Sequence, residues 1–258
     1  MKKLYIVSSG PGDQGLVAPD ATAAIQQSSD IVAYGLYLEL LGDICEQKKH
    51  HDLPLGEEIG RAHLALDLAA SGKITSLISS GDVGIYAMAT LVFELLDQQL
   101  QGKENRPAWL EVDIEVIPGI SAMQAGASRA GAILGHDFCT ISLSDLLTPW
   151  QTIAKRLHAC GQGDFVVSFY NPRSQKRDWQ INRTRDILLE YRPASTPVLL
   201  GRQLTRKDER MMITSLDKLH ADDVDMFTLV SVGNSESRHI IYGEKEWVYT
   251  PRGYSKKL

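Results

Sequence analysis

Cysteine is scarce in this sequence: Cys45, Cys139 and Cys160 are the only three in 258 residues, and no C-x-x-C pair occurs among them. An odd, scattered set argues against a disulfide framework and against a cysteine zinc site, and it suits a reducing cytosol. Long apolar runs are missing as well. The opening Met1-Lys2-Lys3-Leu4-Tyr5-Ile6-Val7 has too short an apolar stretch for a signal peptide and reads as a first strand. No window approaches the length of a membrane span, so a soluble, cytoplasmic protein is expected. Positive charge is not in excess: 27 Lys and Arg stand against 32 Asp and Glu, a net charge of -5. A global basic footprint for nucleic acid or an anionic membrane is therefore absent. With 43% hydrophobic and 23% charged residues, disordered, collagen-like and coiled-coil classes are excluded too.

What is present is an alternation of short β-branched runs with longer helical periodicities, the pattern of an α/β architecture. Strands are expected at Leu4–Ser8, Ile31–Tyr34, Thr75–Ser79 and Ile114–Ile117, and helices at Pro19–Ser28, Glu57–Ser71 and Ile85–Leu96. After Pro118-Gly119 the texture changes. A small-residue helix at Ser121–Leu134 is followed by a strand at Phe138–Leu143, a helix at Trp150–Cys160 and a strand at Phe165–Tyr170. Then come a charged helix at Arg177–Tyr191, a strand at Val198–Gly201 and a hairpin-like pair, Met211–Ser215 with Met226–Val232. The spacing predicts two α/β domains, 1–118 and 119–258, the second with a mixed sheet.

Three turns, each after a strand, carry the chemistry. Gly10-Pro11-Gly12-Asp13-Gln14-Gly15 matches G-x-G-x-x-G. A dinucleotide site would also need an acidic residue at the end of the second strand; Asp30 instead precedes that strand, closing a helix-to-strand turn, and Pro11 removes a backbone donor. In Ser80-Gly81-Asp82-Val83-Gly84-Ile85, Gly81 permits close approach of a ligand and Asp82 can accept hydrogen bonds; the alternative is a capped turn. Pro118-Gly119-Ile120-Ser121-Ala122 offers Ser121, again either a cap or a ligand contact. Three such turns would gather along one sheet edge, where open α/β sheets bind ligands.

These turns, in this order, resemble those of the tetrapyrrole methylase family. The stretches His136–Trp150, Phe169-Tyr170-Asn171-Pro172-Arg173-Ser174, Val224-Asp225-Met226 and Val232-Gly233-Asn234-Ser235 are similar to its cobalamin-pathway branch. The resemblance covers essentially the whole chain. It implies two α/β domains of the tetrapyrrole methylase type, with S-adenosylmethionine bound in the cleft between them, and a homodimer. It also implies methylation of carbon 17 of precorrin-3B or cobalt-factor III with coupled ring contraction. Carried over by position, the cofactor contacts would be Gly10, Pro11, Gly12, Ser80, Gly81, Asp82, Ile85, Ser121, Ala122, Asn171 and Leu204. Ser8-Ser9 and Val83 depart from the family pattern, which often has glycine before Gly-Pro-Gly and proline after Gly-Asp; both change turn stiffness and neither removes a ligand group.

The charge balance conceals a local reversal. From Arg173 to Arg210 ten basic residues accompany five acids, so this segment is +5 and the remainder is -10. Part of it is a solvated helix face with ion pairs. Arg173, Lys176, Arg177, Arg202, Arg206 and Arg210, near strand ends, together with Arg129, are candidate contacts for a substrate rich in carboxylates. Methyl transfer needs positioning more than a nucleophilic side chain. Proton movement in ring contraction leaves Asp82, His136, Ser144 and Asp145 as catalytic candidates; for His136 a structural hydrogen bond is the alternative. A second methylase of the same fold, such as a diphthine synthase, and a non-catalytic tetrapyrrole carrier are the competing readings.

Overall fold

Along strand β1 (Lys3–Ser8), Leu4 and Ile6 alternate with Tyr5 and Val7, and all four are buried. A strand buried on both faces calls for helices on both sides of its sheet. In the computed structural model, which describes residues 1–174, 177–254 and 257, the chain divides into two units, Met1–Ala122 and Met123–Leu258. The first unit builds such a sheet. Strands β2 (Asp30–Ala33), β3 (Lys49–Asp52), β4 (Ile74–Ser79) and β5 (Asp113–Ile117) join β1 in the order β3-β2-β4-β1-β5, and every pair is parallel. Helices α1 (Pro19–Gln27) and α2 (Gly35–Leu41) bring Ala21, Ile25 and Leu41 to the face of Tyr5 and Val7. From the other side, α3 (Glu58–Ala70) and α4 (Met88–Leu100) pack Ala62, Leu66 and Val92, with Trp109, on Leu4 and Ile6.

The second unit starts within α5 (Ala122–Ala130), which runs into the short strand β6 (Gly131–Ala132). Strand β7 (Phe138–Ser142), helix α6 (Trp150–Gln162), strand β8 (Val166–Tyr170) and helix α7 (Gln180–Leu189) follow. Strands β9 (Pro197–Arg202), β10 (Arg210–Ser215) and β11 (Thr228–Val232) complete a sheet of order β10-β9-β11-β8-β7. Only β7 and β8 are parallel, so this sheet is mixed, as its denser strands predicted. Its α6 and α7 face is an apolar cluster around Leu157, Phe169, Leu188 and Val230; Ala127, Ile133, Leu199 and Val248 form a second cluster. The hairpin of β12 (Arg238–Tyr242) and β13 (Lys245–Tyr249) joins β6 in a separate small sheet.

Several expectations are corrected. Met211–Ser215 and Met226–Val232 do not pair: β9 lies between β10 and β11 and bonds antiparallel to each. Alternation identifies a strand but carries no record of its neighbour. The helix expected from Ile85 begins at Met88, because Tyr86 takes a φ of 52° and Ala87 is extended. The small-residue helix ends at Ala130, where Gly131, at φ 127°, pairs with Val248. The charged helix is shortened to Gln180–Leu189. All three cysteines are free thiols. Among the described residues no helix is long and apolar enough to cross a membrane.

Candidate functional site

Because β4, β1 and β5 are adjacent and parallel, the three glycine turns leave the same rim of the first sheet side by side. They are tied to one another. Gly10 and Gly81 exchange backbone hydrogen bonds, the Gly10 amide to the Gly81 carbonyl at 3.2 Å and the Gly81 amide to the Gly10 carbonyl at 2.7 Å. The fully buried Ser8 hydroxyl donates to the Ile117 carbonyl (2.7 Å) and accepts from the Val83 amide (2.8 Å), so one side chain links all three connections. Asp82 uses both carboxylate oxygens: Oδ1 accepts from the Gly84 amide at 2.8 Å and Oδ2 from the Gly119 amide at 3.0 Å. The capped-turn reading of Asp82 therefore describes half of what it does; the other half is a cross-link to the third turn.

The glycines at this rim answer steric demands. Gly10 and Gly81 both have φ of 70°, the left-handed region that costs other residues about 1–2 kcal/mol. A Cβ on Gly119 would fall 2.4 Å from the Ser8 Cβ and 2.8 Å from the Gly81 carbonyl oxygen. A Cβ on Gly81 would stand over the start of the third turn's helix, 3.8 Å from the Ser121 Cα and 4.0 Å from the Ala122 amide nitrogen. Ser121 and Pro11 are buried, while Gly12, Ser80, Asp82, Ile85 and Ala122 are half-buried, so this rim keeps reachable backbone and polar groups.

In the second unit, Asn171 sits just past β8 at φ 52°, and its amide donates to the Ser142 hydroxyl at 3.1 Å. Arg177 is folded inward; its Nη1 donates to the carbonyls of Leu143 (3.0 Å) and Asn171 (3.2 Å), and its Nε is 3.7 Å from Asp145. Asp145 also accepts from Gln180, and the Ser144 amide donates to the Ser142 hydroxyl. The Met123 amide at the start of α5 donates to the Tyr170 hydroxyl. Past β9, Gln203 and Thr205 take φ of 48° and 64°, strained values for such side chains. Leu204 between them is 3% exposed and lies over Gly201 and beside Gly126, so its side chain has a core packing role.

Part of the basic segment is ion-paired within its own unit. Arg173 donates to the Ala221 carbonyl and faces Asp222, Arg202 pairs with Asp225 at 2.7 Å, Arg129 pairs with Glu209 at 2.9 Å, and Arg185 with Asp186. Burial pushes the Asp225 carboxyl up, but hydrogen bonds from Thr228, Arg202 and the Phe227 amide outweigh it and hold that pKa below the usual range. Arg177, picked out as a substrate cation, is instead an internal staple for two carbonyls. Three of these arginines lie together, one of them paired with Asp225. Arg202 and Arg210 are direct cross-strand partners, and Arg206 lies in the loop that joins their strands. Lys176 lies outside the described residues.

His136 is not brought to this cluster. It precedes β7, whereas Ser142 and Asn171 stand at the opposite end of the β7–β8 pair, about 13 Å along the strand. Its Nδ1 accepts from the Asp137 amide at 2.8 Å, the structural alternative given above. The residues that sequence reasoning missed are Ser8, Ser142, Gln203 and Thr205. Ser8 had a visible signal, a hydroxyl at the last position of a strand before a glycine turn; the other three had none. No cluster of three or more metal-ligating side chains occurs among the described residues.

With this geometry in hand, comparison with known proteins becomes specific. The profile of the tetrapyrrole (corrin/porphyrin) methylases matches residues 3–220. A cobalt-factor III methyltransferase of Priestia megaterium is 42% identical over 99% of this chain, which spans only 46% of that relative's length. A precorrin-3B C(17)-methyltransferase of a Sinorhizobium species is 39% identical, with 98% of this chain and 97% of the relative covered. Among solved structures, that of the methyltransferase CobJ superposes with a TM-score of 0.87 at 38% identity, covering 96% of this chain and 99% of the other. With a family profile across most of its length and relatives of this identity, the chain belongs to the tetrapyrrole (corrin/porphyrin) methylase family.

Proposed function

We propose that this chain is an S-adenosylmethionine-dependent C-methyltransferase of cobalamin biosynthesis. Its reaction would methylate carbon 17 of precorrin-3B or cobalt-factor III, with ring contraction to precorrin-4 or cobalt-factor IV. The observation that carries the reading is the knot of three turns at the rim of the first sheet, in a chain whose relatives are named for this reaction. The rim suits the cofactor. Gly81 leaves open the space over Ser121 and Ala122 that a Cβ would fill, and half-buried Ser80 and Asp82 border it. Gly10, Pro11, Gly12, Ser80, Gly81, Asp82, Ile85, Ser121 and Ala122 are the residues proposed to hold it, with Asn171 and Leu204 as further candidates by resemblance.

When bound, S-adenosylmethionine supplies an electrophilic methyl group, so the chain itself needs to bind and orient. Asp82, with both oxygens on backbone amides, acts as an orienting group that sets the second turn against the third. Arg202, Arg206 and Arg210, gathered at the β9–β10 end, are the proposed contacts for the acetate and propionate groups of a uroporphyrinoid ring, with Arg202 also held by Asp225. Cytoplasmic residence and a homodimer belong to the same proposal.

The test is formation of S-adenosylhomocysteine by the full chain, with precorrin-3B and with cobalt-factor III as separate substrates, and mass analysis of the ring product. Turnover with one of the two, giving a methylated and contracted ring, is expected. Ring binding without S-adenosylhomocysteine would support a carrier, and no turnover on either ring would reject the assignment.

A further inference from the structure

Cys139 on β7 and Cys160 on α6 are separated by 21 positions, yet their sulfur atoms lie 3.6 Å apart, with Cys139 donating to Cys160. Cys139 is half-buried, whereas Cys160 is 4% exposed. Beneath them lies Arg192, itself 4% exposed. Its guanidinium donates to the carbonyls of Gly233 and Phe165, and its Nη2 is 3.6 Å from the Cys160 sulfur. Arg192 enters none of the ion pairs among the described residues, and its Nε is buried without a hydrogen-bond partner. A buried cation is costly without a counter-charge. The one titratable group that it touches is the Cys160 sulfur. The hydrogen bond from Cys139 and the charge of Arg192 lower the Cys160 thiol from its ordinary pKa, against burial and the nearby Asp164 carboxylate.

We propose that Cys139 and Cys160 form an oxidisable dithiol, a modification site that a hydroperoxide closes to an intramolecular disulfide joining β7 to α6. The pair starts as two thiols. Cys139, the less buried of the two, gives up its proton to solvent and attacks a peroxide oxygen. The O–O bond breaks, leaving Cys139 as a sulfenic acid and releasing hydroxide, which takes the proton from Cys160 and departs as water. The Cys160 thiolate then attacks the Cys139 sulfur; the S–S bond forms, the S–O bond breaks and a second hydroxide leaves. The two sulfurs together lose two electrons and the peroxide gains them. The sulfurs need to approach by only about 1.6 Å to reach bonding distance. The bond would sit three positions before Ser142, the residue that holds the Asn171 side chain, on the same strand.

The experiment uses the full chain, reduced and freed of reductant, then exposed to hydrogen peroxide beside glutathione as a reference thiol. Peptide mapping is expected to show one link between the peptides of Cys139 and Cys160, with a mass loss of two hydrogen atoms. The link should form faster than glutathione is oxidised and reverse with dithiothreitol, while Cys45 stays open to alkylation after unfolding. In Cys139→Ser, checked for native circular dichroism, the link disappears. Added oxygen on Cys139 with Cys160 still free, or oxidation no faster than that of glutathione, would overturn the proposal.

Discussion

The two sheets end their strands in loops held by opposite means. In the first unit, backbone holds backbone: glycine turns bond to one another, and the short side chains of Ser8 and Asp82 tie one turn to the next. In the second, long side chains reach across: Arg177 to two carbonyls, Gln180 to Asp145, Asn171 to Ser142. Parallel neighbouring strands deliver their C-terminal ends to one rim, so adjacent turns can interlock directly. The parallel pair of the second sheet, β7 and β8, also brings its ends together, but there side chains rather than glycine turns tie them. A backbone knot tolerates no added atom, whereas side-chain bridges can shift.

The sharpest way to break this comparison is a pair of added methyl groups. Gly119→Ala drives a Cβ into the Ser8 Cβ and the Gly81 carbonyl, neither of which can rotate away, and is expected to cost about 3 kcal/mol in urea unfolding. Gly126→Ala in the second unit meets Leu229 and Leu204 side-chain carbons that can rotate, and about 1 kcal/mol is expected. Equal losses would remove the distinction.

The opposite rim of the first sheet sharpens the comparison, because charge holds it. Asp30, at the start of β2, accepts from His51 at 2.7 Å, Lys73 at 3.0 Å and Ser29 at 2.9 Å. Burial pushes its carboxyl up, but these three bonds outweigh it and bring the pKa from an ordinary 3.8 down to about 2. A lowered native pKa means stability that is present above the unfolded value and lost as pH falls through the folded one. The expected loss is roughly 2 kcal/mol on going from above pH ~4 to below pH ~2. Urea midpoints across that range, compared with Asp30→Asn, should show the extra slope in the native chain only.

How much of this was legible depended on whether the cause was local. The three glycine turns could be read because each follows its own β-branched strand, and their gathering follows from one rule about parallel sheets. The order of β9, β10 and β11 could not, since a strand's partner is set by packing far along the chain. β3, the polar Lys49–Asp52, is mostly exposed and gave no apolar pattern; the β12–β13 hairpin did carry a signal, aromatic and β-branched residues around Gly243-Glu244. The arginines were read as a solvated helix face and as substrate contacts, yet burial of Arg177 and Arg192 gives them structural work that composition cannot reveal. The contact of Cys139 with Cys160 was hidden in the same way, by the packing of α6 on β7.

If the rim glycines face the cofactor, two glycines of equal backbone angle should respond differently to an added methyl group. Gly81 and Gly102 both have φ of 70°; Gly81 faces Ser121 and Ala122, while a Cβ on Gly102 would meet nothing within 4 Å. Alanine at either position should cost similar stability, about 1–2 kcal/mol. Titration calorimetry with S-adenosylhomocysteine should show affinity at least about tenfold weaker for Gly81→Ala, a change of about 1.4 kcal/mol, and native affinity for Gly102→Ala. Native affinity in both would contradict the assignment of the cofactor to these turns.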